Sequence, residues 1–289
     1  MKTITMAAAL AAAGAVGATM VSAQNGAAPA GLSRSSYDVG NFDKVVAVGP
    51  HHFVVTVGGA ISVRAEGEPE SLEKYEVLVE DGALEIRPKK KYWSDDRDWR
   101  EFQVEPATYY ITLPRLAATM LAGSGDMTVD RIDGDRFSAS IAGSGLLDIA
   151  AISVSDAKLA VAGSGRLRAA GSVRDLSVSI AGSGNLEAQR LASDTASISI
   201  AGSGDASLTV DREAHVSVVG SGNVEIAGDA SCTISGFGSG QARCKDGVHD
   251  TRQEWNRWSG WDGARGREAR DEARRWREWA RQHDWRPED

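Results

Sequence analysis

From about residue 123 to 245 the chain is written in short alternations of small polar and apolar residues. SASIA stands before Gly143, KLAVA before Gly163, LSVSIA before Gly182, ASISIA before Gly202 and HVSVV before Gly220. A period of two is the signature of a strand with one buried and one wet face. In LSVSIA it sends Leu176, Val178 and Ile180 to one side and Ser177 and Ser179 to the other. Each run ends on the triplet GSG, which begins at 123, 143, 163, 182, 202, 220 and 238, with spacings of 20, 20, 19, 20, 18 and 18 residues. A second alternation follows each triplet, as in DMTVD, LLDIA, RLRAA, NLEAQ, DASLTV and NVEIA. The pattern predicts two short strands per repeat on either side of a glycine corner, and no helix within the repeat. A repeat of this length has the size of one coil of a parallel β-solenoid, with neighbouring coils about 4.8 Å apart.

Glycine suits such a corner because it accepts backbone dihedrals that other residues avoid. The serine between the glycines is small enough to stack on its counterpart in the next coil. Ser124, Ser144, Ser164, Ser183, Ser203, Ser221 and Ser239 are therefore expected to form a ladder, their hydroxyls bonded to one another, to backbone or to water. Seven equivalent serines with no activating base do not make a nucleophile. Calcium-binding solenoids repeat a nonapeptide with an Asp in each repeat, whereas here the period differs and the position after GSG reads Asp126, Leu146, Arg166, Asn185, Asp205, Asn223 and Gln241.

The segment before the repeats carries further alternations, at Val45 to Val48, Phe53 to Val57, Ile61 to Ala65 and Tyr75 to Val79, with turns at Gly58-Gly59 and Asp81-Gly82. These read as irregular early coils. Pro114, after TYYITL, fits an edge or a corner. KKKYWSDDRDWREF interrupts them with charge and with Tyr92, Trp93, Trp99 and Phe102, either as an exposed recognition loop or as a cover for an open solenoid end. Past Cys244 a tail holds six of the eight tryptophans, and from 252 to 289 ten arginines face nine acids. Between Arg265 and His283 its composition is helical, with Ala269, Ala273, Trp276 and Ala280 on one stripe and Trp279 beside it. Two readings of the tail stand side by side. It is a solvated extension whose tryptophans dock as a cap, or a partner-binding segment using Trp255, Trp258, Trp261, Trp276 and Trp279.

Compartment changes the picture at two cysteines. Residues 1–23 combine Lys2, an Ala-rich apolar run and a small-residue Val21-Ser22-Ala23 site, which is the form of a secretory signal peptide cut before Gln24. No later stretch is long and apolar enough to span a bilayer. In an oxidising compartment Cys232 and Cys244 are expected to form a disulfide near the last corner. Two cysteines and scattered histidines do not complete a metal site, and no cofactor motif occurs. A net charge of -8 argues against nucleic acid. The expected organisation is signal peptide 1–23, flexible linker 24–36, solenoid 37–245 and a Trp/Arg-rich, partly helical tail 246–289.

The order FDKVVAVGPHHFVVTVG, DGALEI, YYITLPRL and then reiterated AGSG resembles the autotransporter adhesin head GIN domain family of exported bacterial proteins, over roughly 41 to 245. The resemblance implies a right-handed β-helix, periplasmic or at the cell surface, with no catalytic residues to carry over. Polysaccharide-acting β-helix enzymes are the alternative. They need acids that converge on adjacent coils. The candidates Asp126, Asp130, Asp133, Asp135, Asp148, Glu187, Asp205, Asp211 and Glu225 do not converge in a twenty-residue frame, where Asp126 is followed by Leu146 and Arg166. The expected function is therefore non-enzymatic, adhesin-like binding of an envelope protein or glycan. Its alternatives are such an enzyme, or a structural envelope scaffold docked through its tail. Self-association through solenoid ends is a further expected contact.

Overall fold

The structure is a computed structural model that describes residues 32–92, 104–245 and 247–250, the last four by backbone only. It is all-β apart from one short helix, and its repeats stack in parallel as coils of about 20 residues. The GSG triplets lie directly over one another, since Gly143 pairs with Gly123, Gly163 with Gly143, Gly182 with Gly163, Gly202 with Gly182, Gly220 with Gly202 and Gly238 with Gly220. Inward positions follow the alternation: Leu176, Val178 and Ile180 are buried while Ser177 and Ser179 are exposed.

The expected two strands per repeat are one continuous strand in the central coils. β11 runs from corner to corner as Leu146–Gly163, β12 as Arg166–Gly182, β13 as Asn185–Gly202 and β14 as Asp205–Gly220. Parallel pairing in register persists through each bend, so the chain turns without leaving the ladder, apart from register shifts such as that between Ile149 and Ile152. β10 (Ile132–Gly143) precedes them, and β15 (Asn223–Ala227), β16 (Ser231–Gly238) and β17 (Gln241–Cys244) follow.

The corner explains the glycines. Gly163 has φ +114°, and a Cβ there would sit 2.5 Å from the carbonyl oxygen of Gly143. At Gly165 it would meet the Gly145 carbonyl at 2.8 Å. Both flanks of the serine are thus closed by the backbone of the preceding coil. An eighth corner of different sequence continues the row. Gly49-Pro50-His51 lies beneath the first GSG, with the Gly49 amide donating to the Ala122 carbonyl and the Gly125 amide donating to the Gly49 carbonyl.

The early region is more than a set of irregular coils. β2 (Lys44–Val48) and β3 (His52–Val57) form a coil that lies between two later ones. On one side β6 (Ala83–Pro88) and β7 (Thr108–Leu113) pair with it in parallel, and on the other β8 (Ala118–Gly123) and β9 (Asp126–Val129) do so. Pro114 follows the end of β7 in a bend. The parallel stack then stops. β4 (Ser62–Gly67) lies antiparallel on β7, β1 (Ser33–Tyr37) antiparallel on β4, and β5 (Tyr75–Glu80) antiparallel on β6.

A single helical turn and a half, α1 (Pro69–Lys74), joins β4 to β5 with proline in its first turn and a Glu70–Lys74 ion pair at 2.9 Å. Two expected boundaries move. β1 lies inside the segment expected to be linker, because Arg34 pairs with Glu66 at 2.8 Å and Tyr37 packs on the core. At the other end β18 (Gly247–Asp250) pairs antiparallel with β17, so the sheet runs past 245 into the expected tail.

Cys232 and Cys244 are bridged, with their Cα atoms 6.5 Å apart. The bridge ties β16 to β17 across the last corner. Loop-entropy arithmetic for so short a loop puts its contribution at about 3 kcal/mol. In a solenoid each coil leans chiefly on its neighbours. Reduction is therefore expected to quicken amide exchange over 223–245 and to leave 146–200 unchanged, which hydrogen exchange with and without reductant measures directly.

Candidate binding surface

Parallel registration turns each outward position into a column that runs along the stack. After the corner one column reads Asp126, Leu146, Arg166, Asn185 and Asp205, and continues through Asn223 and Gln241. Two residues on, the next reads Thr128, Asp148, Arg168, Glu187, Ser207, Glu225 and Arg243. These columns are cross-braced. Glu187 accepts from Arg168 at 2.8 Å and faces Arg166 at 3.0 Å. Asp205 accepts from both the backbone amide and the side-chain amide of Asn223, at 2.9 and 3.0 Å. The last coils form a shallow groove of about 440 Å³ between these columns, lined by Asp205, Ser207, Asn223, Glu225, Gln241 and Arg243.

The other long ladder presents a plainer outer face. Its columns are Ser138, Lys158, Ser177, Ser197, His215 and Thr233, and Ser140, Ala160, Ser179, Ser199, Ser217 and Ser235. Along its rim Thr195 donates to Asp175 at 2.6 Å and Arg174 reaches the same carboxylate at 2.9 Å. The Thr195 hydroxyl, with Arg174 second, holds the Asp175 carboxyl below its ordinary range.

The corner serines stand in register, each backbone amide from Ser144 to Ser239 donating to the first glycine of the preceding corner. The hydroxyls of Ser221 and Ser239 lie 3.0 Å apart. Of the aromatic residues singled out for recognition, the structure places Tyr92. Its hydroxyl donates to Glu73 at 3.3 Å and the Lys91 ammonium sits 4.4 Å from its ring centre. Trp93, Trp99, Trp255, Trp258, Trp261, Trp276 and Trp279 lie outside the described residues.

Of the carboxylates weighed as catalytic, Asp126, Asp130 and Glu187 are held in separate local contacts, while Asp205 and Glu225 both line the groove. Asp126 faces His52 at 3.5 Å. Asp130 accepts the amides of Val57 at 2.9 Å and Arg131 at 2.7 Å, the work of a turn residue. Among the described residues no three His, Cys, Asp or Glu side chains are grouped as a metal site would require.

Beneath the first GSG, sequence reasoning missed a buried polar knot. His51 is fully buried at the glycine-proline corner, and its Nδ1 accepts the Ala107 amide at 3.0 Å. Its ring packs edge-on against Tyr75 at 4.2 Å and Tyr109 at 5.4 Å. Burial, with His52 adding a little, depresses the His51 pKa to about 4, and burial pushes Tyr75 up to about 12. Burial likewise raises Tyr109. With Nδ1 accepting, the neutral ring carries its proton on Nε2. Among the described residues neither Nε2 nor the Tyr109 hydroxyl has a hydrogen-bond partner. The signal in the sequence was the GPH that occupies a corner position without being GSG.

Comparison with known proteins places these features. The family model described as "Putative auto-transporter adhesin, head GIN domain" matches residues 41–230. No curated protein matches the chain. Among solved structures, a "putative adhesin" from Bacteroides fragilis is 22% identical with a TM-score of 0.64, covering 73% of this chain and 95% of its own. A "putative lipid binding protein" from Parabacteroides distasonis is 20% identical with a TM-score of 0.60, covering 74% of this chain and 96% of its own. A "putative adhesin" from the same organism is 17% identical with a TM-score of 0.54, covering 73% and 95%.

Proposed function

The chain belongs to the auto-transporter adhesin head GIN domain family, and on that premise we propose that it is an exported, non-catalytic binding protein of the bacterial envelope or cell surface. The groove at its last coils receives a glycan. The observation that carries this reading is the groove's lining. Carboxylate, amide, hydroxyl and guanidinium groups alternate there on a backbone fixed by parallel pairing on the inner side. Such a set offers donors and acceptors in turn, as sugar hydroxyls require, and rigid placement lowers the entropy cost of binding. Of the two candidate acids that share the groove, Asp205 is held by Asn223 and Glu225 stands 3.8 Å from Arg243, contacts that support binding over proton transfer.

A glycan array probed with residues 24–289 tests the proposal, run beside the double variant Asn223→Ala, Gln241→Ala. Both side chains are exposed, so the fold should be kept. At least a tenfold loss of glycan binding with an unchanged circular dichroism spectrum is expected. Undiminished binding by the variant would move recognition off the groove. Capture of an envelope protein with no glycan bound would replace the glycan by a protein partner.

A further inference from the structure

The groove at the last coils continues beyond the residues that line its first lobe. A second concavity, of about 320 Å³, adjoins it and shares Glu225 and Arg243 with it, so the two form one trough along β15 and β17. From Gln241 to Lys245 the chain beside the trough advances about 13 Å, room for more than one sugar ring.

The two lobes differ in charge. The first holds the carboxylates of Asp205 and Glu225, the amides of Asn223 and Gln241, and Arg243. In the second, Lys245 joins Arg243, and among the described residues Glu225 is the one acid in its lining. Ala227 and Gly228 also line this lobe, and with at most a methyl group each they leave its space open. The two cations are differently committed. The Lys245 ammonium is anchored 2.8 Å from Asp229. Arg243 Nη1 stands 3.8 Å from Glu225, beyond hydrogen-bond reach, and both of those side chains are 59% exposed. So exposed a pair contributes little to stability, and the guanidinium can turn to a better acceptor at small cost. An acidic group on a ligand is such an acceptor, because its oxygens match two parallel N–H groups of the guanidinium fork. A chain of formal net charge -8 repels acids at a distance, so an acid held here is held by these local cations.

We infer that the groove has a direction and selects acidic glycans. A sugar bearing a carboxylate or a phosphate occupies the second lobe against Arg243 and Lys245, and its neutral neighbour lies over Asn223 and Gln241 in the first. The inference rests on the glycan reading of the groove and names the class of glycan that it takes.

A glycan array probed with residues 24–289 tests it, with each carboxylated or phosphorylated member set beside its carboxyl-reduced or dephosphorylated form. The acidic form is expected to bind on the order of tenfold more tightly than its neutral counterpart. The carboxylated and phosphorylated members report separately, and a preference in either set supports the inference. In the double variant Arg243→Gln, Lys245→Gln the preference is expected to fall below about twofold, with an unchanged circular dichroism spectrum. The control Lys158→Gln, Arg174→Gln removes the same charge from the other long ladder and is expected to keep the parent's preference. Capture of glycans with no preference for the acidic forms would overturn this inference and leave the glycan reading standing. A preference that survives the first variant, or that the control loses equally, would overturn it as well. An array on which no glycan binds would remove both readings.

Discussion

Replacing Gly163 by alanine is expected to cost on the order of 4 kcal/mol. Two effects combine. At φ +114° an L side chain strains the backbone, which costs about 1–3 kcal/mol. The new Cβ also meets the Gly143 carbonyl at 2.5 Å, and relief of such overpacking costs a further 1–3 kcal/mol. The obstacle is backbone in the adjacent coil, itself held by the Ser164 and Gly165 amides, so it cannot swing away. Because stability in a solenoid is close to a sum of neighbour terms, the damage separates the coils before residue 163 from those after it. Urea unfolding should change from one transition to two. The neighbouring Ser164→Ala is the control: this side chain is exposed, and a change within about 0.5 kcal/mol is expected. A Gly163→Ala protein with the parent's midpoint and slope would show that the corner is looser than its geometry.

Acid is expected to weaken the fold through His51. The sign follows from the two states. Unfolded, the imidazole titrates near 6.5; folded, burial brings it to about 4. Between those values the unfolded chain takes up a proton that the folded chain refuses. Stability is thus fully present above pH 6.5 and falls as the pH drops to 4, by about 3 kcal/mol from this group alone at 1.36 kcal/mol per pH unit. Carboxylates contribute their own dependence, so the comparison is with His51→Gln, whose amide oxygen can still accept the Ala107 amide but which does not titrate. That variant is expected to be less stable at pH 7 and to show a shallower decline between pH 6.5 and 4.5 in chemical denaturation. Identical slopes for the two proteins would remove His51 from the acid response.

The repeats were legible because three constraints coincide on the same residues. Alternation of period two, a spacing of 18 to 20 and a glycine corner agree at Gly143, Gly163, Gly182 and Gly202, and the runs that lead into the corners stack in strict register once the glycines align. The ends were not legible, because a cap is defined by what it stops and not by a repeat. SRSSY in β1 carries alternation too weak to stand apart from a linker, and its place follows from a partner thirty residues away. α1 did announce itself, with Pro69 followed by Glu70 and Lys74, but six residues beside a strong strand pattern are easily absorbed into it. The groove at the last coils was invisible for another reason. Asp205, Asn223 and Gln241 stand 18 residues apart and look unremarkable singly; only the register makes them one column.

The coil of β2 and β3, set between two coils that come later in the chain, has a consequence for the order in which the protein assembles. From β10 onward each strand meets a partner about 20 residues away, so those contacts are local and close quickly. β2 must wait for β6, some 40 residues on, and for β8, whose Thr119 meets Val45 across 74 residues. Loop closure over such separations precedes any gain from pairing, which makes the amino-terminal third the region of highest contact order. Folding kinetics should accordingly be biphasic, with a fast nucleus in the GSG coils and a slower phase in which the amino-terminal strands are threaded onto it.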